Sequence, residues 1–175
     1  MELVKEIVIE NPPTKYNDKK KTKIDPKTGK LKVNVHYLTA NLFFAGIPFY
    51  LRMKITNEIK EYLIPRMQGI PKLKKARVSI IYYKPTDNWD LDNKGYFWMK
   101  MFLDILKTPS EKQKQKAWKK YRKTIKSTET LPDDTVRYID EIKMRYEKGP
   151  EKIIFRIYGE LERKESVSIG RLADG

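Results

Sequence analysis

Hydrophobic and polar positions alternate in several stretches of this chain, and a period of two is the mark of a half-buried strand. Residues 3–9, LVKEIVI, read as a strand that stops at Pro12-Pro13. In ARVSIIYY, Val78, Ile80 and Tyr82 alternate, and Pro85 ends the run. Val136, Tyr138, Ile142, Met144 and Tyr146 predict a further strand, and KIIFRIYGE predicts the last one after a turn at Gly149-Pro150. Asp25-Pro26-Lys27-Thr28-Gly29 is turn chemistry. With Leu31, Val33 and Val35 alternating after it, a hairpin or basic flap is expected there. Two stretches change period. Over 51–66, Leu51, Ile55, Ile59, Tyr62 and Leu63 share one helical face, and Gln68-Gly69-Ile70-Pro71 closes it. Residues 96–107 are apolar nearly all round, which predicts a buried helix. Residues 110–126, SEKQKQKAWKKYRKTIK, predict another helix, and 131–134, LPDD, a loop. The order is strand, flap, helix, strand, helix, insert, strand, strand. It predicts an α/β (α+β) fold: a small mixed sheet packed with two main helices, plus a basic helical insert at 108–130. We expect a single domain over 1–160 and a mobile tail over 161–175.

Composition narrows the function classes. A chain of 175 residues fits one domain with one core. Aromatic residues make up 11% of it, which argues against wholesale disorder. Cysteine is absent, so disulfides and thiolate metal sites are excluded. No window approaches the roughly 18 uninterrupted apolar residues of a membrane span. The first residues, MELVKEIVIE, carry acids inside their apolar stretch, unlike a signal peptide. The expectation is a cytoplasmic protein. Lys and Arg number 38 against 23 Asp and Glu, for a net charge of +15. Such an excess suggests a polyanionic partner, nucleic acid above all, or else a soluble basic protein whose charges are merely solvated. A membrane surface fits less well, since the sequence shows no long basic amphipathic helix with an aromatic face and no lipidation motif.

Against that background, Asp90 and Asp92 stand out, one residue apart, just past a predicted strand and before a predicted helix. On extended backbone, residues two apart face the same way. Their oxygens would suit Mg²⁺ or Mn²⁺, which take hard ligands. Asp133 and Asp134, about forty residues on, could complete a site for a second ion. The alternative is simpler: Asp92 or Asn93 caps a helix, and Asp133-Asp134 is a turn after Pro132.

The ordered segments carry a resemblance. DLDN at 90–93, KMFLDIL at 100–106 and DDTVRYID at 133–140 resemble the signature of the RusA family of Holliday junction resolvases, and ENPPTKYND resembles its Pro-Pro stretch after the first strand. Together they span most of residues 3–158. The resemblance implies a homodimer that cuts four-way DNA junctions with Mg²⁺ or Mn²⁺. By matched position it implies Asp90, Asp92 and Asp134 as the catalytic, metal-holding carboxylates, with Asp133 their neighbour. The family lysine falls on Lys100, counted back from Asp104. The chain departs from the family by four residues, KGYF at 94–97, between Asn93 and the matching run. If Gly95 marks a loop, the helix starts later and Lys100 returns to its first turns. Lys94, two residues from Asp92, is the competitor. Either lysine would neutralise charge building on a phosphate. Asp104 is expected at a core edge or dimer interface, and Asp140 as a support for Asp134.

The insert has three readings. Lys116, Lys119, Lys120 and Arg122 could follow a phosphate backbone with Trp118 and Tyr121 stacking on unpaired bases. Trp118, Tyr121 and Ile125 could instead form a buried stripe, or the insert could be disordered. Lys19, Lys20 and Lys21 in the flap are further candidates for DNA contact. His36, the single histidine, is expected to be structural.

Overall fold

The computed structural model describes residues 1–44, 47–86, 91–121 and 124–162; the side chains of 19–23, 31–33, 44, 91, 92 and 121 lie outside that description. In chain order the elements are β1 (Glu2–Glu10), β2 (Lys15–Ile24), β3 (Leu31–Tyr37), α1 (Asn41–Phe44), α2 (Phe49–Met67), β4 (Leu73–Lys84), α3 (Leu91–Leu106), α4 (Glu111–Tyr121), β5 (Ile139–Lys148) and β6 (Lys152–Leu161). The fold is mixed α+β: a four-stranded sheet ordered β1-β6-β4-β5 and a separate β2–β3 hairpin. β4 and β5 run parallel, and β6 is antiparallel to both β1 and β4. Parallel neighbours need a crossover connection, and α3 provides it. Among the described residues no helix is long and apolar enough to cross a membrane.

Alternation decides which side chains enter the core. Ile7 and Ile9 of β1, Val78, Ile80 and Tyr82 of β4, and Ile153, Phe155 and Ile157 of β6 all point to one face and are buried. Against them lie Leu51, Ile55, Ile59 and Leu63 of α2, and Phe97, Phe102 and Ile105 of α3. The rings of Phe102 and Phe155 stack with centroids 4.3 Å apart, fixing α3 on the sheet. Gly159 lets β4 and β6 pack closely, since a Cβ there would come within 2.7 Å of Leu73. α2 ends as the sequence expects: Gly69 takes a left-handed φ of +77°, which glycine adopts without steric cost. The hairpin turn also forms, with Lys27 N–H donating to Asp25 Oδ1 at 2.9 Å and Gly29 N–H to the Asp25 carbonyl at 2.8 Å.

Three elements differ from expectation. α3 starts at Leu91, five residues early, with Gly95 buried inside it. Burial of the neighbouring Phe97, Trp98, Met101 and Phe102 outweighs the roughly 1 kcal/mol penalty of glycine in a helix. β5 starts only at Ile139, because 136–138 form a turn closed by Tyr138 N–H and Ile139 N–H on the Thr135 carbonyl. Val136 is 90% exposed there. α4 is shorter than the predicted 110–126. It opens with a capping box: Gln113 N–H donates to Ser110 Oγ at 3.2 Å, and Ser110 N–H to Gln113 Oε1 at 2.9 Å. None of its described side chains is buried, and Trp118 is 56% exposed. The buried stripe through Trp118 is therefore not formed. The insert leaves and returns at one place. Thr108 N–H donates to the Leu131 carbonyl at 2.7 Å, Thr128 N–H to the Ile105 carbonyl at 2.8 Å, and the Ser127 hydroxyl to the Lys107 carbonyl.

The other face of the sheet carries no helix among the described residues. Its positions fall in register across β1, β6, β4 and β5. One row is Glu10, Lys152, Tyr83 and Glu147; the next is Val8, Ile154, Ile81 and Arg145. Then come Glu6, Arg156, Ser79 and Lys143, and finally Leu3, Tyr158, Arg77 and Glu141.

Candidate functional site

The two sequence candidates, the Asp90–Asp92 stretch and the Asp133–Asp134 pair, lie at opposite ends of α3. At the amino end, β4 finishes at Lys84 and α3 begins at Leu91. Asp90 and the side chain of Asp92 lie outside the described residues, while the backbone of Asp92 is in the first turn of α3. Acids at this position agree with the positive end of the helix dipole. The turn is anchored by Asn93, whose carbonyl accepts Ala40 N–H at 2.6 Å and whose Oδ1 accepts Asn41 N–H at 3.3 Å. Tyr146 holds the chain leaving β4, donating its hydroxyl to the carbonyls of Lys84 at 3.0 Å and Thr86 at 2.7 Å. Lys94 is partly buried here. Burial, and then the positive charge of neighbouring Lys84, hold its ammonium below the usual lysine range, while Glu151 pulls the other way. Glu151 in turn accepts the Tyr82 hydroxyl at 3.2 Å. The amino end is thus a mouth where two lysines, Lys84 and Lys94, lie together.

At the carboxyl end, Lys107 places its ammonium 2.8 Å from Asp133 Oδ1 and 2.9 Å from Asp134 Oδ1. Asp134 N–H also donates to Asp133 Oδ1 at 2.9 Å. These bonds, led by that from Lys107, hold the Asp133 carboxyl below the usual range, and the same two carboxylates raise Lys107. A carboxylate pair at a helix carboxyl end opposes the dipole, and Lys107 supplies the compensating cation from within the chain.

The helix between these ends has 16 residues, about 24 Å of axis. Convergence of Asp134 with Asp92 within one chain, expected from the sequence, is therefore not met. The expected three-carboxylate Mg²⁺ centre does not fit a single copy. Topology gives the reason. Asp134 precedes a strand parallel to β4, so it lies at the amino edge of these strands, whereas the Asp90–Asp92 stretch follows β4 at the other edge. Among the described residues no group of three or more His, Asp or Glu side chains could hold a metal ion.

Lys100 also differs from expectation. Residues 94–97 are helical, so Lys100 lies eight residues beyond Asp92, about 12 Å along the axis. Its ammonium is 3.4 Å from Asp104 Oδ1, and Lys60 approaches Asp104 Oδ2 at 3.2 Å. Asp104 thereby ties α3 to α2. Lys94 is the lysine at the mouth. Asp140 pairs with Lys75 at 3.0 Å rather than supporting Asp134. His36 leaves Nε2 buried with no hydrogen-bond partner among the described residues. The side chains of Lys19, Lys20 and Lys21, and all of Arg122, lie outside the described residues, as do 163–175 of the expected tail. Lys116, Lys119 and Lys120 are exposed on α4. Sequence reasoning missed Lys107, Lys84 and Glu151. Of these only Lys107 left a signal, as a cation directly at a helix end before Pro109.

No protein-family model, curated protein or solved structure matches the chain.

Proposed function

We propose that this protein binds nucleic acid through its basic insert. The observation that carries this reading is α4, which presents Lys112, Lys116, Lys119 and Lys120 around an exposed Trp118 and buries none of its described side chains. Packing does not account for such a sequence, and a phosphate backbone with unstacked bases does. Branched DNA is the substrate class we favour, because a junction offers both duplex backbone and base faces left unstacked at the branch point. A cytoplasmic location and a dimeric state belong to the same proposal.

Binding to a labelled four-way junction and to linear duplex at several salt concentrations tests it. Each neutralised phosphate contributes about 0.9 to the logarithmic salt slope on duplex DNA. Changing the four α4 lysines to Glu should abolish most of that slope, and Trp118→Ala should weaken the junction more than the duplex. A folded quadruple variant that binds like the parent sinks the reading.

A second reading, favoured by the order along the chain of β4, Asp-Leu-Asp-Asn and Lys94, is a RusA-like endonuclease. Mg²⁺ commonly needs only one or two carboxylates besides substrate phosphates, so Asp90 and Asp92 would hold it without Asp134. The ion would supply Lewis-acid activation for phosphodiester hydrolysis. In this reading Lys94 neutralises charge on the bound phosphate. Cleavage of the junction with Mg²⁺ or Mn²⁺, lost in Asp92→Asn and reduced about tenfold in Lys94→Ala, is the expected result. An Asp92→Asn protein that cuts as well as the parent excludes it.

A further inference from the structure

We propose that the open face of the four-stranded sheet is a second nucleic-acid surface, a track for one single strand of DNA laid along β6 and β4. The proposal deepens the nucleic-acid reading given above and rests on it for the choice of DNA. Charge sets the track. On this face the two central strands carry Lys152 and Arg156 from β6 and Arg77 from β4, and no carboxylate. The acids sit on the edge strands, Glu6 and Glu10 on β1 and Glu141 and Glu147 on β5. A polyanion is thereby drawn to the middle of the face and turned away from both edges. β1 and β5 are three strand spacings apart, about 14 Å. A single strand fits between them, whereas the wider duplex brings a backbone onto the acids.

Along the track, charged and ring-bearing positions are interleaved with apolar ones. At one end Lys152 holds its ammonium 4.6 Å from the centre of the Tyr83 ring. Ile154 and Ile81 follow; both are buried, yet they belong to no part of the helix-side core. Then come Arg156 and Ser79, and at the other end Tyr158 lies beside Arg77. Six residues separate the two end rows, about 20 Å of strand. A concavity of about 420 Å³ opens at the Arg77 end. Of the charged side chains lining it, Arg77, Lys143, Arg145 and Arg156 are cationic and Glu141 is acidic.

The cations are poised rather than spent. Arg77 is exposed and makes no hydrogen bond or ion pair among the described residues. Arg156 is held by Glu6 at 2.6 Å, Lys143 by Glu141 at 3.1 Å and Arg145 by Glu147 at 2.5 Å. Exposed pairs of this kind are weak, so a phosphate can take the place of a carboxylate while the cation stays extended over the face. Tyr158 is half-buried, which fixes its ring and leaves part of it open to a base. Stacking on such a ring tolerates any base, because every base has a π-face. The binding expected here is therefore indifferent to sequence and sensitive to salt.

Fluorescence anisotropy of a labelled oligothymidine of about 16 nucleotides, the upper site size for such grooves, tests the proposal on the full chain. Arg77→Glu should weaken binding at least tenfold and lower the logarithmic salt slope by about 0.7 or more. Tyr158→Ala should weaken it about tenfold at an unchanged slope, and Tyr158→Phe, which keeps the ring, should stay within about twofold of the parent. Lys72→Glu, an equal change of charge just before β4, should cost less than about threefold because salt screens it. Linear duplex should bind the sheet variants as it binds the parent. Loss of duplex binding then reports on the insert, and loss of oligothymidine binding on the sheet. Circular dichroism checks that each variant is folded, and reversal of the exposed, unpaired Arg77 draws nothing from the core. A parent that leaves the oligothymidine unbound at about 100 μM, the weak end of non-specific binding, overturns the proposal. So does a folded Arg77→Glu or Tyr158→Ala protein that binds it as tightly as the parent. An oligouridine of the same length that displaces the probe at about tenfold lower concentration than unlabelled oligothymidine overturns the choice of DNA.

Discussion

The two ends of α3 carry acids in opposite electrostatic settings. At the amino end the acidic stretch precedes the helix start, where the dipole welcomes negative charge, and Lys84 and Lys94 lie close to each other there. At the carboxyl end Asp133 and Asp134 sit against the dipole and are held by one lysine placed between them. The first end brings Lys84 and Lys94 together, and the second holds its acids through its own lysine, Lys107. An acidic motif close to a helix is therefore informative only once its end of the helix is known.

The largest effect that bears on this contrast comes from the spacer itself. Phe102 is fully buried and stacked on Phe155, so Phe102→Ala should cost about 3–5 kcal/mol in denaturant unfolding. A loss below about 1 kcal/mol would mean that α3 is not a fixed strut between the two ends.

At the amino end, Tyr82→Phe should cost about 1.5–3 kcal/mol, the range for a hydrogen bond to a charged acceptor. Burial, with Glu151, pushes the Tyr82 phenol well above its ordinary value of 10.0. The neutral form is thus favoured in the folded state. Its stabilising contribution is complete below pH 10 and fades as pH rises further, when the unfolded tyrosine ionises first. Stability measured from pH 8 to 11 should fall less steeply in Tyr82→Phe than in the parent; parallel curves would contradict this account.

The smallest effect belongs to the carboxyl end. Lys107→Met should cost at most about 1 kcal/mol, because exposed ion pairs are worth little. Asp133 is lowered from 3.8 and Lys107 raised from 10.5. The pair therefore stabilises the fold above about pH 4, loses that contribution as pH falls through the depressed Asp133 value, and loses it again as pH rises through the raised Lys107 value. The stability difference between parent and variant should narrow as pH falls below 3.8. A difference that stays constant as pH falls points to lost packing of the lysine stem instead.

Much of the fold was legible because its signals are local. Val78, Ile80 and Tyr82 face the core as their alternation requires, and the Asp25 turn and the Gly69 stop are fixed by chemistry within a few residues. The start of α3 was not legible, since Gly95 reads as a break until the packing around it is known. β5 misled for a related reason. It is an edge strand that the helices cover only in part, so Ile142 and Met144 stay partly exposed despite a core-like spacing. For the candidate site, residue types and order were readable, but meeting distances were not. The gap between Asp92 and Asp134 in the sequence does not say whether the chain comes back to the start of a helix or to its end. Parallel pairing of β4 with β5 decides that, and it is a long-range fact.

The closed stem of the insert has a consequence for how this chain can be altered. Because residues 108 and 127–128 are fastened to the same turn around Ile105 and Leu131, the loop between them is a cassette. Excising 110–126 and joining the cut ends with a short glycine-serine bridge removes a whole helix without drawing on the sheet or its core. What remains is the bare scaffold, ready to accept a different graft at the same doorway.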